Sequence, residues 1–107
     1  MSARMAVSFV RGQIDPSRLD EIRLRYEAAT ASGMPAAIVT SYLLADPSGQ
    51  VAIATVWRDR AALEAMVASG AEPLARRLIR EAGGQPTAEF FDMLAASTGR
   101  SSDERRP

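Results

Sequence analysis

The chain contains no cysteine, histidine, lysine or asparagine. Without cysteine there is no disulfide framework, and a cytoplasmic location is expected. Without histidine and lysine, Ser–His and Cys–His nucleophilic pairs, lysine Schiff bases and the lysine of a phosphate loop all drop out. Zinc, haem or copper held by His or Cys is excluded with them, so neither a metal nor a cofactor is expected. No apolar run approaches the roughly 20 residues of a membrane span, and the N-terminus lacks the apolar core of a signal peptide. Charge of one sign is not in excess either: 13 arginines balance 13 acids. That argues against a nucleic-acid partner and against an anionic membrane. Any site must be built from carboxylates, Tyr, Ser, Thr, Trp, Arg and backbone groups.

What is present describes one ordinary globular domain, with 107 residues of which 47% are hydrophobic. Its organising stretch is Val51–Ser69. Val51, Ile53, Thr55 and Trp57 share one face of a period-2 strand, and Asp59 can cap a helix whose apolar side is Leu63, Met66 and Val67. Upstream, Met5–Arg11 reads as a first strand with Met5, Val7, Phe9 and Arg11 on one face. Asp15-Pro16 starts a helix that buries Leu19, Ile22, Tyr26 and Ala29, and Gly33 and Pro35 end it. Ala36–Ala45 reads as a second strand, turning through Asp46-Pro47-Ser48-Gly49 into the third. A loop of those four residues pairs Ala45 with Gln50 and sets Tyr42 opposite Ile53, Thr40 opposite Thr55 and Ile38 opposite Trp57. A loop longer by one residue would turn the second strand over.

A helix over 72–82 and a strand over 88–95 complete the domain, expected to span residues 1–98. The remaining stretch, 99–107, is expected to be a disordered polar tail. Arg76, Arg77 and Arg80 read as an ion-paired helix surface, with Glu72 and Glu81 at i,i+4 spacing from Arg76 and Arg77. The order strand, helix, strand, strand, helices, strand predicts an α+β ferredoxin-like βαββαβ domain with an antiparallel sheet. Both faces of the strands at 36–45 and 51–57 are mostly apolar, yet helices can cover only one. The expected cover for the other is a second copy of the chain, as a homodimer.

This order, the second hairpin, and Trp57 closing a strand before RDRAALEAMVAS resemble the antibiotic biosynthesis monooxygenase family of the dimeric α+β barrel superfamily. The resemblance spans roughly residues 5–95. It implies a dimeric α/β barrel with a cavity between sheet and helices in each subunit. In the monooxygenase members that cavity oxidises polycyclic phenols or anthrone-like molecules with O2 and no cofactor. Haem-degrading relatives use a His and an Asn, and this chain has neither. The cofactor-free members are associated with an Asn beside the Trp, so only Trp57 carries over by motif. The implied activity is therefore oxygenation of an aromatic or polyketide-like small molecule. The alternative is a non-catalytic dimeric binding or assembly domain of the same fold.

Candidate site residues follow. Trp57 can donate its indole N–H to a substrate oxygen, or serve as a core anchor between strand and helices. Tyr42 is a candidate acidic hydroxyl by its predicted face. Phe9 and Met66 are candidate apolar walls, Arg11 a candidate holder of an anionic oxygen, and Thr40 and Thr55 a cross-strand pair in the same space.

Overall fold

The computed structural model describes residues 4–99, so all of the predicted tail except Gly99 lies outside the described residues. Four strands and three helices follow in the order β1 (Ala6–Gln13), α1 (Leu19–Thr30), β2 (Ile38–Ala45), β3 (Gln50–Trp57), α2 (Arg60–Ala68), α3 (Leu74–Glu81) and β4 (Thr87–Asp92). The strands form one antiparallel sheet in the order β2-β3-β1-β4. This is the α+β ferredoxin-like arrangement expected from the periodicity.

The caps explain where the helices begin. Asp15 accepts from the Ser17 amide at 2.9 Å, and Pro16 opens a single 3-10 turn leading into α1. Asp59 accepts from the Ala62 amide at 2.8 Å and starts α2 directly after the Trp57 strand end. The helix predicted from residue 72 begins at Leu74, behind Pro73, and Gly83 terminates it at a φ of 96°. Its ion pairs differ from the i,i+4 expectation. Glu72 reaches past Arg76 to Arg80 at 2.7 Å, and Glu81 reaches across to Arg25 of α1 at 3.2 Å.

The β2–β3 hairpin corrects the expected register. Gly49 adopts a φ of 98°, its amide donates to Asp46 O at 3.1 Å, and the Asp46 amide donates to Gln50 O at 3.0 Å. Asp46 thus faces both Gly49 and Gln50, the pattern of a type I turn closed by a glycine bulge. The extra residue makes Ala45 pair with Val51, Tyr42 with Ala54, and Ser41 with Thr55. A second bulge skips Val39, so Ile38 returns to its expected partner Trp57 while Thr40 pairs with Val56. Residues 40–45 are therefore turned over relative to the expectation.

All helices lie on one face of the sheet. The core beneath them falls into two clusters. One gathers Val10, Ile14, Ile22, Val51, Ile53, Leu78, Ile79 and Ala82, and the other gathers Ala6, Trp57 and Leu63. No helix among the described residues is long and apolar enough to cross a membrane.

Candidate functional site

Between the two core clusters the sheet and helices leave a cavity of about 410 Å³, within the size range of small-molecule sites. Its floor is the helix-covered face of the sheet, with Ser8 and Val10 of β1, Ser41 of β2, Ile53, Thr55 and Trp57 of β3, and Ala88 and Phe90 of β4. Tyr26, Met66, Leu74 and Leu78 wall it, together with the Met34-Pro35 and Gly70–Pro73 loops. A larger groove of about 510 Å³ runs between α1 and β2, but it is more open to solvent, and Asp20, Arg23 and Glu27 contribute to its lining. The less open and more apolar space beside Trp57 is the better candidate for an apolar ligand.

The strand register fixes the polar pattern of the floor. Ser41 pairs with Thr55 across β2–β3, and Ser8 pairs with Thr55 across β3–β1. Paired residues point to the same side of a sheet, so three hydroxyls form one transverse row on three adjacent strands. Trp57 is buried, and its indole Nε1 donates to Ser8 Oγ at 3.0 Å. At the other end of the row, Tyr26 Oη donates to Ser41 Oγ at 2.9 Å. Thr55 has no side-chain partner among the described residues, and no hydroxyl there is both sealed off and unpaired. The Thr55 oxygen therefore opens on the cavity. Arg76 is the one charged side chain among the described lining residues, and no carboxylate joins it.

Of the residues singled out from sequence, Trp57, Thr55 and Met66 meet at this cavity. Phe9, Arg11, Thr40 and Tyr42 do not; they belong to the opposite face. Phe9 and Arg11 alternate with the cavity-lining Ser8 and Val10 on β1, and the two hairpin bulges carry Thr40 and Tyr42 away. On that open face Phe9 meets the edge of Phe91 at 6.0 Å, and Arg11 stacks 5.5 Å over Phe9 while pairing with Glu89 at 3.1 Å. Sequence reasoning missed Ser8, Tyr26, Ser41, Phe90 and Arg76. The first had a readable signal, being the polar interruption in an Ala6–Val10 face otherwise fit for burial.

With this geometry in view, solved structures of similar shape can be compared. A protein assigned as an antibiotic biosynthesis monooxygenase, from Bacteroides thetaiotaomicron, superposes with a TM-score of 0.56 at 21% identity, covering 92% of this chain and 95% of its own. SnoaB, a cofactor-independent oxygenase from Streptomyces nogalater, gives a TM-score of 0.53 at 20% identity, over 90% of this chain and 97% of its own. The fold is that of the antibiotic biosynthesis monooxygenases. A protein of unknown function from Nitrosomonas europaea shares this monooxygenase-type fold at a TM-score of 0.63 and 16% identity, over 94% of this chain and 100% of its own. No family sequence model matches the chain, and no curated protein matches it significantly in sequence.

Proposed function

We propose that the cavity binds a flat, mainly apolar aromatic molecule and that the protein is a cofactor-independent oxygenase acting on it. The observation that carries this reading is the mainly apolar space of about 410 Å³ with a hydroxyl row along its floor and Trp57 at one end. Apolar walls take up the rings and keep water out, and a few polar atoms fix orientation. The likeness in shape to SnoaB, a cofactor-independent oxygenase, supports the choice of reaction.

The chemistry asks little of the protein. The described lining residues include no carboxylate and the chain has no histidine, so a general base of either kind is absent there and the substrate must supply its own acidity. The Arg76 guanidinium favours the ionised form of a phenol or enol bound beside it. The resulting anion is rich enough in electrons to reduce O2. One oxygen atom then bonds to the ring carbon and the other leaves as water, so that a ring CH2 becomes a carbonyl. Trp57 acts here through Ser8, since its N–H is already engaged.

The open face of the sheet supports the second half of the proposal, a homodimer. Tyr42, Leu44 and Phe91 are 54%, 48% and 48% exposed there, and large apolar side chains left on a face that no helix covers favour association. A second sheet would cover it.

Oxygen uptake with anthrone as substrate tests the reaction. Stoichiometric O2 consumption, abolished or strongly reduced by Arg76→Ala, is the expected result. Saturable binding of anthrone without O2 consumption would instead identify a non-catalytic binding domain of the same fold, which the absence of a base on the lining also fits.

A further inference from the structure

We propose that the hydrogen-bonded pair Tyr26–Ser41 is the length stop of the cavity, holding it to compact ligands with no long chain at the leading end. The inference rests on the reading of the cavity as an aromatic-ligand site and adds which way the ligand lies and what ends its reach.

The direction comes from the sheet. Phe90 pairs with Ser8, Ser8 with Thr55 and Thr55 with Ser41, so one row of register partners crosses all four strands. All four residues line the cavity, whose floor is therefore three interstrand spacings long, about 14 Å. The two ends of the row differ. At the β4 end Phe90 and Val67 of α2 are exposed, and both also line a shallow depression outside the cavity. That end is the mouth. At the β2 end Tyr26 and Ser41 line both the cavity and the groove between α1 and β2, and no other described residue lines both. The partition between the two spaces is thus two side chains joined by one hydrogen bond between their hydroxyls, at 2.9 Å. Behind it Leu19, Ile22 and Leu43 continue an apolar lining. A chain that passed the pair would find apolar surface ready for it. With the pair closed, the chain meets the Tyr26 ring and must displace it against its packing. Tyr26 therefore selects on length, and Ser41 is a positioning residue that ties the ring across the gap in one rotamer.

Trp57 is the only tryptophan of the chain and lines the cavity, so quenching of its fluorescence reports occupancy. The test titrates the full chain with 2,6-dimethylanthraquinone and 2,6-dibutylanthraquinone. These differ only in chain length, and at both ends, so a long chain meets the pair whichever end leads. The dibutyl compound is the more apolar and would bind more tightly if nothing stopped it. The wild-type protein is expected to favour the dimethyl compound by about tenfold or more. Tyr26→Ala should strengthen dibutyl binding by about tenfold and leave the dimethyl compound within about threefold. Tyr26→Phe and Ser41→Ala keep the ring and remove only the tie, and each should narrow the preference by about threefold. Equal wild-type affinity for the two ligands, or tighter binding of the longer one, would overturn the length stop while leaving the cavity reading intact. A preference unchanged in Tyr26→Phe and Ser41→Ala would overturn it too, even if Tyr26→Ala fails to fold. Failure of the wild-type protein to bind either ligand would overturn the cavity reading and this inference together.

Discussion

The two faces of the sheet differ less in how apolar they are than in how their side chains are used. On the helix-covered face the strands present small and polar residues at the centre, with Ala6, Ser8 and Thr55 buried among larger neighbours. There the helices hold a space open. On the other face the large side chains Phe9, Tyr42, Leu44 and Phe91 project from the same strands, and Phe9 and Phe91 pack on each other. One face is arranged around a volume, the other around a contact. Apolarity by itself therefore does not locate a binding site; the distribution of side-chain size over the sheet does.

The comparison is broken most severely by charging the open face. Leu44→Asp with Phe91→Asp should convert the proposed dimer to monomer, raising its dissociation constant by at least about a hundredfold, since such anchors often cost 2 kcal/mol or more each. Sedimentation equilibrium reads the result, and an unchanged mass would remove that face as an interface. The helix-covered face is next. Leu63 is almost fully buried in the cluster beside Trp57, so Leu63→Ala should cost about 2–5 kcal/mol in denaturant unfolding. A smaller loss would mean that the cavity collapses onto the gap.

Trp57→Phe should cost about 1–3 kcal/mol, from one buried hydrogen bond and some lost packing. Tyr42→Phe, on the other face, should leave both stability and cavity binding within about 0.5 kcal/mol of the wild-type protein. A strong effect of Tyr42→Phe on cavity binding would contradict the register described above.

The smallest effect concerns pH. Hydrogen bonding to Arg80 holds the Glu72 carboxyl below its usual value. A lowered carboxylate pKa stabilises above the unfolded value, and that contribution fades as pH falls through the folded one. Arg80→Ala should thus lower the melting temperature slightly at neutral pH, and the difference should shrink in acid. A gap that stays constant across that range would show the ion pair to be energetically silent, as many exposed pairs are.

Much of the fold was legible because strands and helices declare their periods. The Asp59 cap, the Trp57 strand end and the strand order all follow from residues within a few positions of each other. The site was legible along β3, where Thr55 and Trp57 are two apart and must share a side, and at Met66 on the apolar stripe of α2. Across strands, legibility depended on register, and register depended on Gly49. The sequence Asp-Pro-Ser-Gly is compatible with a four-residue loop and with a turn plus glycine bulge, and the positive φ of Gly49 with the Asp46–Gln50 hydrogen bond marks the second. On β1 the error had a different source. Phe9 is larger than Ser8 or Val10 and looked like the inward residue, but the inward side there is the floor of a cavity.

The pair of bulges at Val39 and Gly49 has a consequence best put in terms of reading frames. One adds a residue to the hairpin and the other skips one, so the frame is shifted only for residues 40–45 and restored at Ile38. Closing the hairpin without the glycine bulge would shift that frame by one residue and exchange Ser41 and Leu43 for Tyr42 and Leu44 on the cavity side. A one-residue change of register set at the Gly49 turn would in this way give the cavity an aromatic floor in place of a hydroxylated one, with every other side chain unchanged. Ligand preference in this hairpin is thus open to change by indel as well as by substitution.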